Sequence, residues 1–129
     1  MRKILPILIT ALVLTGCNSA PGHTKNSYRQ KTMNEAISML KETSDYIILD
    51  VRTITEYKEK HIPGAINIPN ETIASEEPVE LTDKEQLIYV YCRSGNRSKQ
   101  AAQKLADLGY TNIVEIGGII DWPGETVSE

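Results

Sequence analysis

The sequence predicts an α/β domain in which helices cover both faces of a mostly parallel sheet. Short apolar runs alternate along the chain with segments of helical periodicity, which is the pattern of repeated strand–helix units. The apolar runs are nearly continuous, as expected of strands that are buried on both faces. The length of 129 residues, with 40% hydrophobic residues and a net charge of −3, suits one globular domain and disfavours a disordered chain.

The predicted elements follow from this alternation. Apolar or β-branched runs predict strands at residues 46–51, 65–68, 86–91 and 112–116. Helical periodicity or a capping residue predicts helices at residues 35–42, 53–60 and 98–108. Thr32 or Asn34 can cap the first helix, Thr53 can cap the second, and Gly109 ends the third. Residues 70–82 are acidic and poorly patterned, and indicate either helix or loop.

The start of the chain differs in composition from the rest. Met1-Arg2-Lys3 is positively charged, and the apolar stretch Ile4–Leu14 is too short to span a bilayer but fits a secretory signal. The stretch ends in Leu14-Thr15-Gly16-Cys17, which resembles the bacterial lipobox, where the cysteine is lipidated and becomes the mature N-terminus. The sequence therefore predicts a lipoprotein signal peptide over residues 1–16 and lipidation of Cys17. A buried helix with an ordinary core thiol is the alternative.

This interpretation divides the mature chain into a polar, flexible tether at residues 17–31 and a folded domain at residues 32–129. The lipid would anchor the domain to a membrane on its extracytoplasmic side without a spanning helix. Because the net charge is negative and no dense run of Lys or Arg occurs, we do not expect the chain to bind nucleic acid.

Cysteine usage singles out one thiol. The chain has two cysteines, and lipidation of Cys17 would leave Cys92 without a partner in an oxidising compartment. Cys92 is then either an inert core residue or a reactive one. It directly follows the predicted strand at residues 86–91, and parallel sheets place their sites beyond the carboxyl ends of their strands.

The residues after this strand favour the reactive interpretation. A loop with one glycine and two arginines runs into a predicted helix: Cys92-Arg93-Ser94-Gly95-Asn96-Arg97-Ser98. Backbone N–H groups of such a loop and of the first helical turn converge on the centre of the loop, and the helix dipole adds positive charge. A thiol in that field is expected to ionise readily, to attract an anionic substrate and to act as a nucleophile.

The same loop strongly resembles the active-site loop of single-domain rhodaneses, the thiosulfate sulfurtransferases. Two further blocks match the pattern of that family: Leu49-Asp50-Val51-Arg52 with Glu56-Tyr57 and His61-Ile62-Pro63-Gly64-Ala65-Ile66-Asn67-Ile68-Pro69, and then Gly117-Gly118 with Trp122. Lys60 departs from the family, which usually has Gly before the His, and is expected to alter only a surface turn. The resemblance implies the rhodanese-like fold, with five parallel strands and helices on both faces.

The resemblance also implies a mechanism. The Cys92 thiolate attacks the sulfane sulfur of thiosulfate or another donor, and a persulfide remains until cyanide or a thiol acceptor removes the sulfur. No cofactor is implied, and no general base is expected because the nucleophile is already ionised. The substrate-binding residues would be Arg93, Ser94, Gly95, Asn96, Arg97 and Ser98. Of these, Arg97 is assigned to anion binding and loop support, and Arg93 either steers substrate or is a solvated charge.

Loop length argues against the nearest alternative enzymes. Phosphatases and arsenate reductases built on this fold carry a Cys-x5-Arg loop that holds a tetrahedral oxyanion, whereas four residues separate Cys92 from Arg97. The shorter loop suits a single bound sulfur, and no resolving cysteine for arsenate reduction is present. A non-catalytic rhodanese-like module that carries sulfur or docks a partner protein remains the second hypothesis.

The other polar residues are assigned supporting roles. Asp50 and Arg52 follow a buried strand and are expected to form an ion pair that supports the loop. His61 is expected to stabilise a turn by hydrogen bonding, and Trp122 to pack the end of the domain. One free cysteine and two histidines, at no ligand-like spacing, predict no metal site.

Overall fold

Five parallel strands form the sheet in the computed structural model, which describes residues 26–129. The strands are β1 (Arg29–Gln30), β2 (Tyr46–Asp50), β3 (Ile66–Asn67), β4 (Leu87–Cys92) and β5 (Ile113–Gly118). Their order across the sheet is β1-β5-β4-β2-β3, so β4 lies at the centre and both its neighbours are long strands. The predicted fold class is confirmed. The expected signal peptide and Cys17 lie outside the described residues.

Three helices cover the two faces: α1 (Met33–Glu42), α2 (Ile54–Glu59) and α3 (Asn96–Asp107). One core layer joins α3 to the sheet through residues such as Val90, Ala101 and Leu105. The other joins α1 and α2 to the opposite face through residues such as Ala36 and Tyr57. Because the central strands are covered on both sides, their sequences are mostly apolar.

Two helix starts agree closely with their sequence signals. Thr32 caps α1 and Thr53 caps α2, and in each case the threonine hydroxyl accepts the N–H of a glutamate three residues on. The glutamate side chains, Glu35 and Glu56, accept the backbone N–H of the capping residue in return. These reciprocal bonds satisfy N–H groups that a helix start leaves without partners.

Several element boundaries differ from the prediction. The last residues of the expected flexible tether form β1, which pairs with Val114 and Glu115 of β5 at the sheet edge. Backbone pairing creates this two-residue strand, and its polar residues carry no hydrophobic pattern. The strand predicted at 112–116 extends to Gly118, which pairs with Cys92 beyond a register shift. The acidic segment 70–82 begins with a 3₁₀ turn and continues as loop.

Candidate functional site

Cys92 is the last residue of the central strand β4, and the loop that follows it is short. The chain turns through Arg93 and Ser94 to Gly95, and α3 begins at Asn96. Gly95 has a φ of 110°, a left-handed conformation that glycine adopts without steric cost. The helix α3 therefore starts two residues earlier than predicted, and Asn96 and Arg97 belong to its first turn. The N–H groups of that turn, which have no partner within the helix, lie beside the loop.

The sulfur atom of Cys92 lies in a polar environment although the residue is only 1% exposed. The N–H of Gly95 donates a hydrogen bond to Sγ across 3.0 Å. The thiol in turn donates to Oγ of Ser98, at 3.4 Å. Burial alone would also suit an inert core thiol, but these two polar contacts distinguish Cys92 from one.

A buried acid that the sequence interpretation missed lies behind the thiol. Glu115 of β5 is 3% exposed, and its Oε2 accepts the Ser98 hydroxyl and the Gly117 N–H, each at 2.6 Å. Ser98 thus contacts both Cys92 and Glu115. One sequence signal was available, since Glu115 is the single charged residue in an otherwise apolar and β-branched strand.

The two loop arginines differ in their surroundings. The guanidinium of Arg97 forms a bidentate pair with the carboxylate of Glu56 on α2, at 2.6 and 3.0 Å. This hydrogen bonding lowers the pKa of Glu56 to about 2. The ion pair connects the first turn of α3 to α2 and compensates the positive charge of Arg97. The role of Arg97 in anion binding stays a prediction. Arg93 is exposed and has no ion-pair partner within residues 26–129.

The predicted ion pair of Asp50 and Arg52 is present and buried. Arg52 donates to both carboxylate oxygens, at 2.6 to 3.1 Å, and also to the carbonyl of Lys60. Burial lowers the pKa of Arg52, but hydrogen bonding and the charge of Asp50 outweigh it and leave that pKa raised. The Tyr91 hydroxyl donates to Asp50 at 2.7 Å, which links the pair to the residue before Cys92. Burial, followed by the charge of Asp50, raises the pKa of Tyr91.

His61 and Trp122 both pack inside or against the domain core. His61 is buried and stacks on Tyr57, and its Nδ1 donates to the Tyr57 carbonyl at 2.7 Å. Its backbone pairs with Val127 in the C-terminal segment. Trp122 is half-buried against the core layer of α1, and its indole N–H donates to the Glu125 carbonyl. Lys60, the departure from the family pattern, is exposed.

Two clefts flank the loop. One, of about 590 Å³, is lined by Ser94 and Gly95 of the loop together with Lys99, Glu115 and Gly117. The other, of about 400 Å³, is lined by loop residue Arg93 and by residues of neighbouring segments: Arg52, Glu56, Glu59, Lys60, Ile119 and Ile120. Cys92 lines neither cleft, and each cleft borders the loop that follows Cys92.

Residues 26–129 contain no group of three or more His, Cys, Asp or Glu side chains that could hold a metal ion. Within the same residues, no helix combines the length and apolarity needed to cross a membrane.

The fold and the loop define a rhodanese-like α/β protein with a cysteine at the carboxyl end of its central strand. The family model for the rhodanese-like domain matches residues 32–125. The chain therefore belongs to the rhodanese-like family of sulfurtransferases.

Curated relatives differ in length and in the role that their names give. The thiosulfate sulfurtransferase PspE of Escherichia coli is 37% identical over 73 residues, which are 57% of this chain and 70% of PspE. The putative sulfur carrier protein YrkF of Bacillus subtilis is 39% identical, over 61% of this chain and 42% of YrkF. The adenylyltransferase and sulfurtransferase UBA4 of Meyerozyma guilliermondii is 39% identical over 64% of this chain, which spans only 21% of UBA4.

Solved structures share the fold. A structure of rhodanese with anions from E. coli superposes with a TM-score of 0.60 at 33% identity, covering 65% of this chain and 99% of that one. A rhodanese-like domain protein from Staphylococcus aureus has a TM-score of 0.67 at 29% identity, over 78% of this chain and 98% of its own.

Proposed function

We propose that the protein transfers sulfane sulfur from thiosulfate, or from a persulfide, through a persulfide on Cys92 to cyanide or a thiol acceptor. The observation that carries the proposal is the hydrogen bond from the Gly95 N–H to the Cys92 sulfur, 3.0 Å long, in a loop that runs into the start of α3. This N–H can stabilise negative charge on the sulfur, both before the transfer and when the acceptor releases it.

The transfer balances without a redox partner. The Cys92 thiolate attacks the outer sulfur of thiosulfate, a sulfur–sulfur bond forms to Cys92, and the bond to the inner sulfur breaks so that sulfite leaves with its electron pair. Cyanide or a thiolate then attacks the outer sulfur of the persulfide, and Cys92 leaves as thiolate. The four-residue spacing between Cys92 and Arg97 leaves room for one sulfur and supports this chemistry over phosphate transfer.

The loop residues would assist through charge and backbone donors. Arg93 offers an exposed guanidinium at the cleft of about 400 Å³, where it can attract a dianionic donor. The Gly95 N–H already donates to the Cys92 sulfur, and the N–H groups of Ser94 and Asn96 would help to hold the transferred sulfur. Arg97, held by Glu56, keeps the first turn of α3 in place.

Turnover and mass measurement together test the proposal. Thiosulfate with cyanide should yield thiocyanate with the wild-type protein and essentially none with Cys92→Ala. Intact mass after thiosulfate exposure should rise by one sulfur, and cyanide should reverse the rise. Cys17→Ala, which removes the other thiol, should load sulfur like the wild type. Absence of sulfur on Cys92 at any donor concentration would refute the proposal.

A sulfur carrier is the second candidate, because the name of YrkF describes a putative sulfur carrier protein and 61% of this chain aligns with it. A carrier would accept sulfur at Cys92 but pass it on only to a protein partner. Single loading by thiosulfate without multiple turnover to cyanide or small thiols would favour this role. Release of phosphate from an aryl phosphate would instead favour the phosphatase class.

We also propose that the mature protein is a lipoprotein attached through Cys17 on the extracytoplasmic side of a membrane. The proposal is supported by the sequence Leu14-Thr15-Gly16-Cys17 after a basic and then apolar segment. Expression in a bacterium with labelled fatty acid should label the wild type and place it in the membrane fraction. Cys17→Ser should abolish both, whereas Cys92→Ser should change neither.

A further inference from the structure

We propose that Lys60 is a specificity-determining residue that, together with Arg93, selects an organic thiol bearing a carboxylate as the acceptor of sulfur from Cys92. The proposal deepens the proposed sulfur transfer and rests on it for the persulfide. The sequence predicts only an altered surface turn from Lys60 in place of the usual Gly. The structure places Lys60 in the cleft of about 400 Å³ that borders the loop after Cys92.

Two free cations distinguish this cleft. Lys60 and Arg93 both line it and both are exposed. Neither belongs to an ion pair within residues 26–129. The third cation of the lining, Arg52, is paired with the buried carboxylate of Asp50. Lys60 and Arg93 are therefore the cations of the cleft whose charge is available to a ligand.

Two acids also line the cleft and reduce its positive charge. Glu56 is paired with Arg97, so its charge is compensated. Glu59 is exposed and forms no ion pair in the described part of the chain. The free cations therefore outnumber the free acid, and the cleft favours an anion over a neutral molecule or a cation.

The backbone holds Lys60 in the wall of the cleft and leaves its side chain without a fixed partner. Its N–H donates to the Glu56 carbonyl at 3.3 Å, and its own carbonyl accepts the Arg52 guanidinium at 2.6 Å. Because both bonds use only backbone atoms of Lys60, a substitution can change the charge at this position without removing either bond.

The remaining lining suits an organic molecule. Ile119 and Ile120 line the same cleft, and Ile120 is 63% exposed, so a carbon chain can pack against it. The volume of about 400 Å³ lies in the range of roughly 300–1,000 Å³ that is usual for ligand pockets, and exceeds what cyanide or thiosulfate fills. An organic anion therefore uses more of the lining than either inorganic anion does.

The position of Arg93 relates the cleft to the transfer. Arg93 directly follows Cys92 in the chain, so an acceptor whose carboxylate is held at Lys60 and Arg93 would have its thiol next to the loop. Its thiolate attacks the outer sulfur of the Cys92 persulfide, a new sulfur–sulfur bond forms, and Cys92 leaves with the electron pair of the broken bond. Lys60 acts only through its charge.

The test measures how fast different thiols remove sulfur from the loaded protein. The full-length protein is loaded with thiosulfate and freed of excess donor, and mass spectrometry of its peptides then follows the loss of one sulfur from Cys92. Mercaptopropionate carries a carboxylate, mercaptoethanol is neutral and cysteamine carries an ammonium group. Each variant is compared with the wild type for the same thiol, so differences in the intrinsic reactivity of the thiols cancel.

Lys60→Gln should slow the reaction with mercaptopropionate about threefold, as expected for loss of one exposed charge contact, and leave that with mercaptoethanol unchanged. It should speed the reaction with cysteamine. Lys60→Arg keeps the charge and should react like the wild type. Glu59→Gln removes the opposing acid and should speed the reaction with mercaptopropionate. Lys58→Gln is the matched control, because it removes the same charge from an exposed position of α2 outside the cleft.

An unchanged rate of Lys60→Gln with mercaptopropionate would overturn the proposal. Equal slowing with all three thiols, or equal slowing in Lys60→Gln and Lys58→Gln, would overturn it as well. A wild-type protein that never loads sulfur on Cys92 would instead refute the proposed function.

Discussion

The backbone of Gly118 lies so close to Arg93 that a Cβ at position 118 would come within 2.0 Å of the Arg93 carbonyl oxygen and 2.5 Å of the Ser94 Cα. The φ of Gly118 is −120°, which any residue can adopt. The need for glycine therefore comes from the contact between β5 and the loop, and this contact holds the segment after Cys92 in position.

We expect Gly118→Ala to displace the Arg93–Ser94 segment and to reduce sulfur loading of Cys92 by about tenfold or more, because misplacement of a reacting group by about 1 Å costs rates of that size or larger. Overpacking should also lower the free energy of unfolding by about 1–3 kcal/mol. Thiosulfate-dependent mass gain and urea unfolding measure the two effects.

Gly64→Ala is the matched control. Gly64 has a φ of 83° with no atom within 4 Å of its missing Cβ, so the substitution strains the backbone without touching the loop. It should lower stability and leave sulfur loading nearly unchanged. Equal loss of loading in the two variants would show that stability, and not the contact with Arg93, governs the effect.

Two core tyrosines should respond oppositely to loss of their hydroxyls. Tyr89 is 0% exposed and its hydroxyl has no hydrogen-bond partner within residues 26–129. Removing a buried polar group without a partner relieves a desolvation cost, so we expect Tyr89→Phe to be neutral or to stabilise the fold by about 1 kcal/mol. Urea unfolding measures the change.

Tyr91→Phe should destabilise the fold by about 1–3 kcal/mol, because it leaves the buried carboxylate of Asp50 without one hydrogen bond and the Ile62 N–H without its acceptor. The same unfolding measurement applies. Similar free energies of unfolding for the two Tyr→Phe variants would contradict the role of the Tyr91 network.

Acid should weaken the ion pair between Glu56 of α2 and Arg97 of α3. Hydrogen bonding from Arg97 lowers the pKa of Glu56 from 4.5 to about 2, so its stabilisation is present above about pH 4.5 and is lost as the pH falls toward 2. The Glu56 side chain is 27% exposed, and allowing for solvent screening we expect a contribution of about 1–2 kcal/mol.

Glu56→Gln should remove this part of the pH dependence, as measured by unfolding at pH 6 and pH 3. Glu59→Gln changes the same charge at an exposed position of the same helix and should retain the wild-type dependence. Parallel pH curves for the wild type and Glu56→Gln would rule out a contribution from the pair.

Arg93→Ala should raise KM for thiosulfate about threefold or more with little change in kcat or stability, because Arg93 is exposed and its charge is free to attract the donor. The increase should shrink as salt screens that charge. Lys99→Ala removes a cation at the other cleft and serves as the control. An unchanged KM at low salt would show that Arg93 is a solvated surface charge with no part in binding the donor.

Local signals predicted much of the fold. The threonine–glutamate spacing at Thr32 and Thr53 marked both helix starts, because capping depends on residues three positions apart. The apolar run before Cys92 marked a strand, because strands buried on both faces have few polar residues. β1 could not be predicted, since its two residues are exposed and polar, and only the free edge of β5 makes them a strand.

The sequence predicted where Cys92 and its loop lie in the fold, but not which distant residues contact them. The sequence placed Cys92 and its loop at the carboxyl end of a strand, because the alternation of strands and helices predicts a parallel sheet. It assigned Arg97 to the substrate without its partner Glu56, which is 41 positions away. It also missed Glu115, whose contact with Ser98 depends on the pairing that brings β5 beside α3.

By itself, the amino-acid sequence determined the alternation of strands and helices after β1, the family, and the position of Cys92 at the end of an apolar strand, since each depends on neighbouring residues or on a contiguous motif. Only the tertiary structure decided which charges are compensated, how closely Gly118 meets the loop, and which acid lies behind the thiol. These are contacts between residues distant in the chain, and their distances are set by how the strands align and the helices pack.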